Sequence, residues 1–156
     1  MNHDELIAYV GRVHGRTYEA AECVTDALVD WRPRPGDFSV GELVMHIANA
    51  RLMNLGTLQG KGIHYKGHAV KPGTTRGDLL QLLLRSSKKT IAQLTAIDLE
   101  EPVESLTAPA LPGWNRVLGG LVEHEIHHRS QLCEYLSAAG IEPPALYGLH
   151  AEDLPR

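Results

Sequence analysis

Apolar residues recur along the chain in four stretches at spacings near three and four, the signature of helices that each bury one face. The first stretch, residues 3 to 29, carries Leu6, Tyr9, Val10, Val13, Val24 and Leu28, with the weak helix formers Gly11 and Gly15 in its middle. The second opens at Ser39 with Glu42 three residues on, a pairing in which each side chain satisfies the other's free backbone N–H. Val40, Leu43, Val44, Ile47 and Leu55 then form its buried stripe. Thr75 and Asp78 repeat the capping device before Leu79, Leu80, Leu82, Leu83, Ile91, Leu94 and Ile97. The fourth stretch, with Asn115 as its predicted cap, runs through Val117, Leu118, Leu121, Val122, Ile126, Leu132, Tyr135 and Leu136. Gly140 stops it where left-handed backbone is favoured, and Pro143 and Pro144 come next.

Between these stretches proline and glycine fall in blocks, at Pro33 to Gly36, Gly60 to Gly73, Pro102 to Gly113 and Gly140 to Gly148. No alternating strand pattern, fixed-period repeat or low-complexity tract stands out. Four helices around one core, a single all-α domain over residues 1–156, is the economical expectation. The connections at 60 to 74 and 98 to 114 are long for a minimal bundle, and such loops often shape a site.

Charge and composition narrow the function. The formal net charge is -4, and basic residues gather only in short groups such as Arg85, Lys88 and Lys89, which read as a solvated helix face. That argues against a nucleic-acid-binding protein. No segment approaches the roughly 20 apolar residues that cross a bilayer, and the amphipathic start Met1-Asn2-His3-Asp4-Glu5 does not read as a signal peptide. Cys23 and Cys133 lie far apart in sequence and outside any Cys-x-x-Cys arrangement, so neither a disulfide framework nor a cysteine-rich zinc module is expected. A cytoplasmic setting is the resulting expectation.

Against this background the histidines stand out: nine in a chain with one phenylalanine and two tryptophans. His124 and His128 are four apart on the fourth predicted helix, which stacks them on one face. Two imidazoles so placed can converge on one ion, since metal–nitrogen bonds of about 2.0 to 2.1 Å demand convergence. A tightly held ion needs a third ligand. His46, set among Leu43, Val44 and Ile47, is the leading candidate. Three inward-facing imidazoles in a small core are costly to bury unless something satisfies their lone pairs, and a divalent cation does so. His127, about 100° round the helix from His128, reads as flanking. His64 and His68 fall between glycines and are expected in an exposed loop, while His3, His14 and His150 have no evident partner. Glu123 and Glu125 are nominated as outer-shell groups that orient an imidazole.

His124-Glu125-Ile126-His127-His128 also satisfies the zinc-peptidase pattern H-E-x-x-H, in which the glutamate is a general base. The metzincin extension is absent after His128, where Arg129-Ser130-Gln131 stands, and only a short tail remains to supply a downstream ligand. Peptidase is therefore a minor alternative.

The segment Glu42-Leu43-Val44-Met45-His46-Ile47-Ala48, after Trp31-Arg32-Pro33 and Ser39, resembles the DinB/YfiT-like metalloenzyme family. So do His124-Glu125-Ile126-His127-His128-Arg129-Ser130-Gln131-Leu132 and the tail Gly140-Ile141-Glu142-Pro143-Pro144-Ala145-Leu146-Tyr147-Gly148. The resemblance implies an up-down-down-up four-helix bundle, commonly a homodimer, with a metal bound by one histidine of the second helix and two of the fourth. Carried onto this chain, these are His46, His124 and His128; Ser130 stands where many relatives have glycine. The family metal is usually nickel or zinc, and relatives include transferases that use small thiols such as bacillithiol or mycothiol. The leading expectation is a metal-dependent enzyme, a thiol transferase or hydrolase of small molecules, with no residue assigned as catalytic. The alternative is a non-catalytic metal-binding or stress-response module with a structural or vestigial ion.

Overall fold

The computed structural model describes residues 1–105, 109–148, 153 and 155. Three helices match the predicted stretches: α1 His3–Glu22, α2 Val40–Leu58 and α3 Arg76–Leu94. The fourth helix is α-helical over Gly113–Arg116, π-helical over Val117–Glu123 and α-helical again over His124–Ala138. Both predicted capping boxes form, Ser39 with Glu42 and Thr75 with Asp78, and Asn2 with Glu5 makes a third.

Cross-helix contacts fix the directions. Arg51 reaches Leu83 and Gln59 reaches Gln93, so α2 and α3 run parallel, joined by the long 59–75 connection. His14 meets Ser87 while Arg76 meets Glu22, so α1 and α3 are antiparallel. Asn54 meets Gly120 while His46 meets His128, so α2 and the fourth helix are antiparallel. The result is the expected all-α, up-down-down-up four-helix bundle.

Its interior is layered. One apolar cluster holds Ala21, Leu43, Ile47, Leu83, Leu132 and Leu136, and the other holds Val10, Val13, Leu58, Leu94, Val117 and Leu121. Between them every helix contributes buried polar groups: His14 and Thr17, Arg51 and Asn54, Ser86 and Thr90, Glu125 and Arg129.

Three expectations need correction. The first helix stops at Glu22 rather than continuing to 29, and a 3-10 turn over Asp26–Leu28 comes after it. The residues beyond it serve other helices: Asp26 Oδ1 accepts from Arg76 N–H at the start of α3, and the Val29 and Trp31 carbonyls accept from Gly41 and Val40 at the start of α2. The approach at Gly41 is close, a Cβ there lying 2.9 Å from the Val29 carbonyl oxygen. Asn115 is not the fourth helix's cap, since that helix begins at Gly113 with no side-chain cap. Its first free N–H groups are met by main chain instead, Gly113 donating to Glu101 O and Trp114 to Leu99 O. Finally, a minimal antiparallel pair of strands, β1 Pro102–Val103 and β2 Leu111–Pro112, sits in the last long connection. Gly11 and Gly15 do not interrupt α1, and Arg85, Lys88 and Lys89 lie exposed on α3. Among the described residues no helix is long and apolar enough to cross a membrane.

Candidate metal centre

His46, His124 and His128, drawn from α2 and the fourth helix, meet at one point. His46 Nε2 lies 3.1 Å from His124 Nε2 and 3.1 Å from His128 Nε2, and one ligand atom from each residue lies within 4.8 Å of the others. Three nitrogens bound at about 2.0 to 2.1 Å to one ion stand roughly 3 to 3.4 Å apart. The cluster is thus close to the spacing an ion would impose, and it could hold one. Among the described residues no cysteine or carboxylate joins the three.

Two of the outward nitrogens, those of His128 and His46, have partners. His128 Nδ1–H donates to Gln131 Oε1 at 2.9 Å, and Gln131 in turn donates from Nε2 to the Tyr135 hydroxyl. His46 Nδ1 is 2.7 Å from the Tyr65 hydroxyl, which also lies 3.3 Å from His68 Nδ1. The Gln131 oxygen holds the His128 proton on Nδ1 and leaves its Nε2 as a lone pair facing His46 Nε2; with the other two rings in the same tautomer, a cation is the group that satisfies all three. Burial is the largest influence on each ring's pKa, with neighbouring imidazoles adding to it for His46 and His124. His46 and His124 are lowered to about 4, and His128 is lowered as well. All three are neutral, the ligating form, at physiological pH.

Other predicted residues separate clearly. His127 is exposed beside His128, ring centroids 4.8 Å apart, and is flanking as expected. His64 is exposed in its loop, but His68 is not the free loop residue expected. Half-buried, it packs on Phe38 at 4.4 Å and shares Tyr65 with His46, because the loop folds back over the cluster. His150 lies outside the described residues. Glu123 is exposed, and Glu125 is not an outer-shell partner: it is 1% exposed and turned into the polar layer. There Arg51 donates from Nε to Glu125 Oε2 at 2.7 Å and from Nη2 to Oε1 at 2.5 Å, and the Thr17 hydroxyl donates at 2.6 Å. Burial alone would push the Glu125 carboxyl pKa up, but Arg51, His14 and Thr17 together bring it below its ordinary value. A glutamate so committed is not poised as a base beside an ion, which removes the mechanistic content of the H-E-x-x-H match. His14, expected without a partner, is buried with Nδ1 3.0 Å from Ser87 Oγ and Nε2 3.4 Å from Glu125. The partners that do orient imidazoles, Tyr65 and Gln131, were missed. Gln131 lies three residues after His128 on one helical face and was legible; Tyr65 depends on the path of a loop.

Comparison with known proteins agrees with this fold. Residues 10–132 match the sequence profile of the DinB superfamily. A DinB-like protein of Bacillus cereus ATCC 10987 superposes with a TM-score of 0.79 at 18% identity, covering 91% of this chain and 95% of that one. A DinB-like protein of Bacillus subtilis (YjoA) gives 0.74 at 22% identity, covering 91% and 97%. No curated protein matches. With the profile spanning most of its length, the chain belongs to the DinB superfamily.

Proposed function

We propose that this protein is a metal-dependent enzyme in which His46, His124 and His128 hold one divalent ion, nickel or zinc, and that its substrate is a small molecule. The observation that carries the reading is the triad itself: two Nε2 atoms each 3.1 Å from a third, with Nδ1 of two rings engaged by Tyr65 and Gln131. Three neutral nitrogens leave coordination positions over, which a structural site closed by four protein ligands does not. His127, the side chain that could have closed the shell, faces solvent. This favours an enzyme over a non-catalytic module.

An ion bound there supplies Lewis acidity, polarising a carbonyl or lowering the pKa of bound water or thiol, chemistry that fits thiol transfer and hydrolysis alike. The chain's own residues prepare for it. Burial keeps the three imidazoles unprotonated, Gln131 fixes the His128 proton on Nδ1, and the Tyr65 hydroxyl meets His46 Nδ1. Phe38 packs against the His46 ring at 5.3 Å and limits its swing. The family resemblance supports a homodimer that works in the cytoplasm on a low-molecular-weight thiol, and light scattering tests the assembly.

The deciding experiment is metal analysis of untagged protein beside His46→Ala, His124→Ala and His128→Ala. About one equivalent of metal in the wild type and its loss in each variant is expected. Unchanged content in all three would sink the assignment. Turnover of small thiols with electrophilic acceptors by nickel- or zinc-loaded protein, absent from the variants, then separates an enzyme from a storage site.

A further inference from the structure

A cavity of about 340 Å³ has His124 in its wall. Its floor is where α2 meets the π-helical segment, with Met53 and Asn54 on one side and Gly119 and Gly120 on the other. π-Helical turns recur at functional sites because the extra residue re-aims the side chains after it, and here the first of those is His124. The two glycines play different parts. At Gly120 a Cβ would collide with the Asn54 carboxamide, whose Nδ2–H donates to the Gly120 carbonyl at 3.1 Å, so this glycine lets two helices close up. At Gly119 a Cβ would meet nothing within 4 Å, so a side chain there would occupy open space at the cavity.

Arg116 lies on the same wall, one turn before the glycines. Its guanidinium makes one hydrogen bond among the described residues, from Nη2 to the Glu104 carbonyl oxygen at 2.6 Å. Among the described residues no carboxylate forms an ion pair with it: Glu104 shares the cavity wall, but its Oε2 lies by Gly62, 3.6 Å from where a Cβ would stand. A half-buried guanidinium with donors to spare in a cavity of small-molecule size is built to receive an oxyanion.

We propose that this cavity binds the substrate and selects small molecules carrying a carboxylate or phosphate, which Arg116 holds while the reacting group lies toward His124. The proposal rests on the metal-enzyme reading for the reaction, though not for binding.

The test uses three probes of one size: phenylacetate, phenyl phosphate and the uncharged phenylacetamide. Each is titrated calorimetrically into zinc-loaded and zinc-stripped protein, with metal content measured on the same samples. At least one anion is expected to bind roughly tenfold or more tighter than the amide in both forms, the scale of a charge-assisted hydrogen bond. Which anion wins identifies the group. Arg116→Gln erases that preference, and Gly119→Leu weakens all three probes; both variants keep their metal and their thermal unfolding transition. The proposal falls if no probe binds the wild type, if Arg116→Gln keeps the preference, or if stripping zinc abolishes it, since the ion alone would then be holding the anion. Gly119→Leu supplies an independent check should Arg116→Gln disturb the Glu104 loop: undiminished binding of all three probes would place them elsewhere. A wild type that holds no metal defeats the enzyme reading while leaving the stripped arm to judge Arg116.

Discussion

Two polar clusters share the same pair of helices and end in opposite states. Glu125 lies between the ligand positions 124 and 128, and Arg51 lies five residues after His46, yet these two turn inward while the histidines gather along the seam. In the inner cluster charge is matched by charge, both Glu125 oxygens accepting from Arg51. In the seam cluster three neutral ring nitrogens face one another, and among the described residues no carboxylate or cysteine joins them. In the inner cluster Arg51 and Glu125 complete one another, while His14 Nε2 stands 3.4 Å from Glu125 without a hydrogen bond, so the ion pair specifies register; the outer cluster has no such match of charge, so it can bind. Substitution in the first should therefore damage the fold, and in the second only the site.

The largest contrast expected is between Glu125→Gln and His128→Ala. Removing the carboxylate strands Arg51, 2% exposed, as an unpaired buried charge, and should lower the unfolding free energy by about 3 to 5 kcal/mol in urea. His128→Ala should change metal-free stability by less than about 1 kcal/mol while emptying the site. Equal destabilisation by the two would erase the distinction between the clusters.

Acid should probe His14 next, by a comparison in which the three seam histidines, lowered as well, contribute alike to both proteins. His14 is lowered to about 4 by burial and by the Arg51 charge, against which Glu125 pulls upward. Unfolded, it titrates near 6.5. Between these values the unfolded chain binds a proton that the folded one refuses, so stability is full above pH 6.5 and falls as pH drops toward 4. The loss on this one residue is at most about 3 kcal/mol. The Glu125 carboxyl, lowered from 4.5, gives up its contribution only at more acid pH. Metal-free His14→Gln should accordingly show a shallower dependence than wild type between pH 6.5 and 4. An identical slope would mean that His14 is protonated without leaving its place.

The seam cluster answers to metal. An ion at a hundred times its dissociation constant should stabilise the wild type by about 2.7 kcal/mol and His128→Ala by nothing measurable. Thermal unfolding with and without zinc or nickel reads this directly. Equal stabilisation of both proteins would place the ion elsewhere.

Legibility in the sequence tracks the range of the interaction that decides each feature. The boxes at Ser39 and Thr75 are settled within three residues, and His124 with His128 within one turn, so both were readable. The start of the fourth helix was not: Asn115 has the right chemistry for a cap, but the Glu101 and Leu99 carbonyls had already taken the free N–H groups. The direction of Glu125 was hidden for the same reason. Its neighbours are histidines, whereas its partners, Arg51, Thr17 and His14, are 74, 108 and 111 positions away in the chain. Gly119-Gly120 was the one local trace of the π-helical segment, and a helical period drawn straight through it conceals the inserted residue.

The smallest effects expected lie in the shell that orients the triad. Tyr65→Phe removes the hydroxyl shared by His46 and His68, and Gln131→Leu removes the acceptor of the His128 Nδ1 proton. Outer-shell losses of this kind lower metal affinity roughly tenfold or somewhat more. Competition with a chromophoric chelator measures the change. Tyr65 is 40% exposed, so Tyr65→Phe should leave the metal-free fold as stable as before. Gln131 also donates to Tyr135, a core residue, and its replacement should cost a little stability as well. The two variants thus divide orientation from packing. If Tyr65→Phe binds the ion as tightly as wild type, the hydroxyl does not position His46, and stacking on Phe38 alone holds that ring in place.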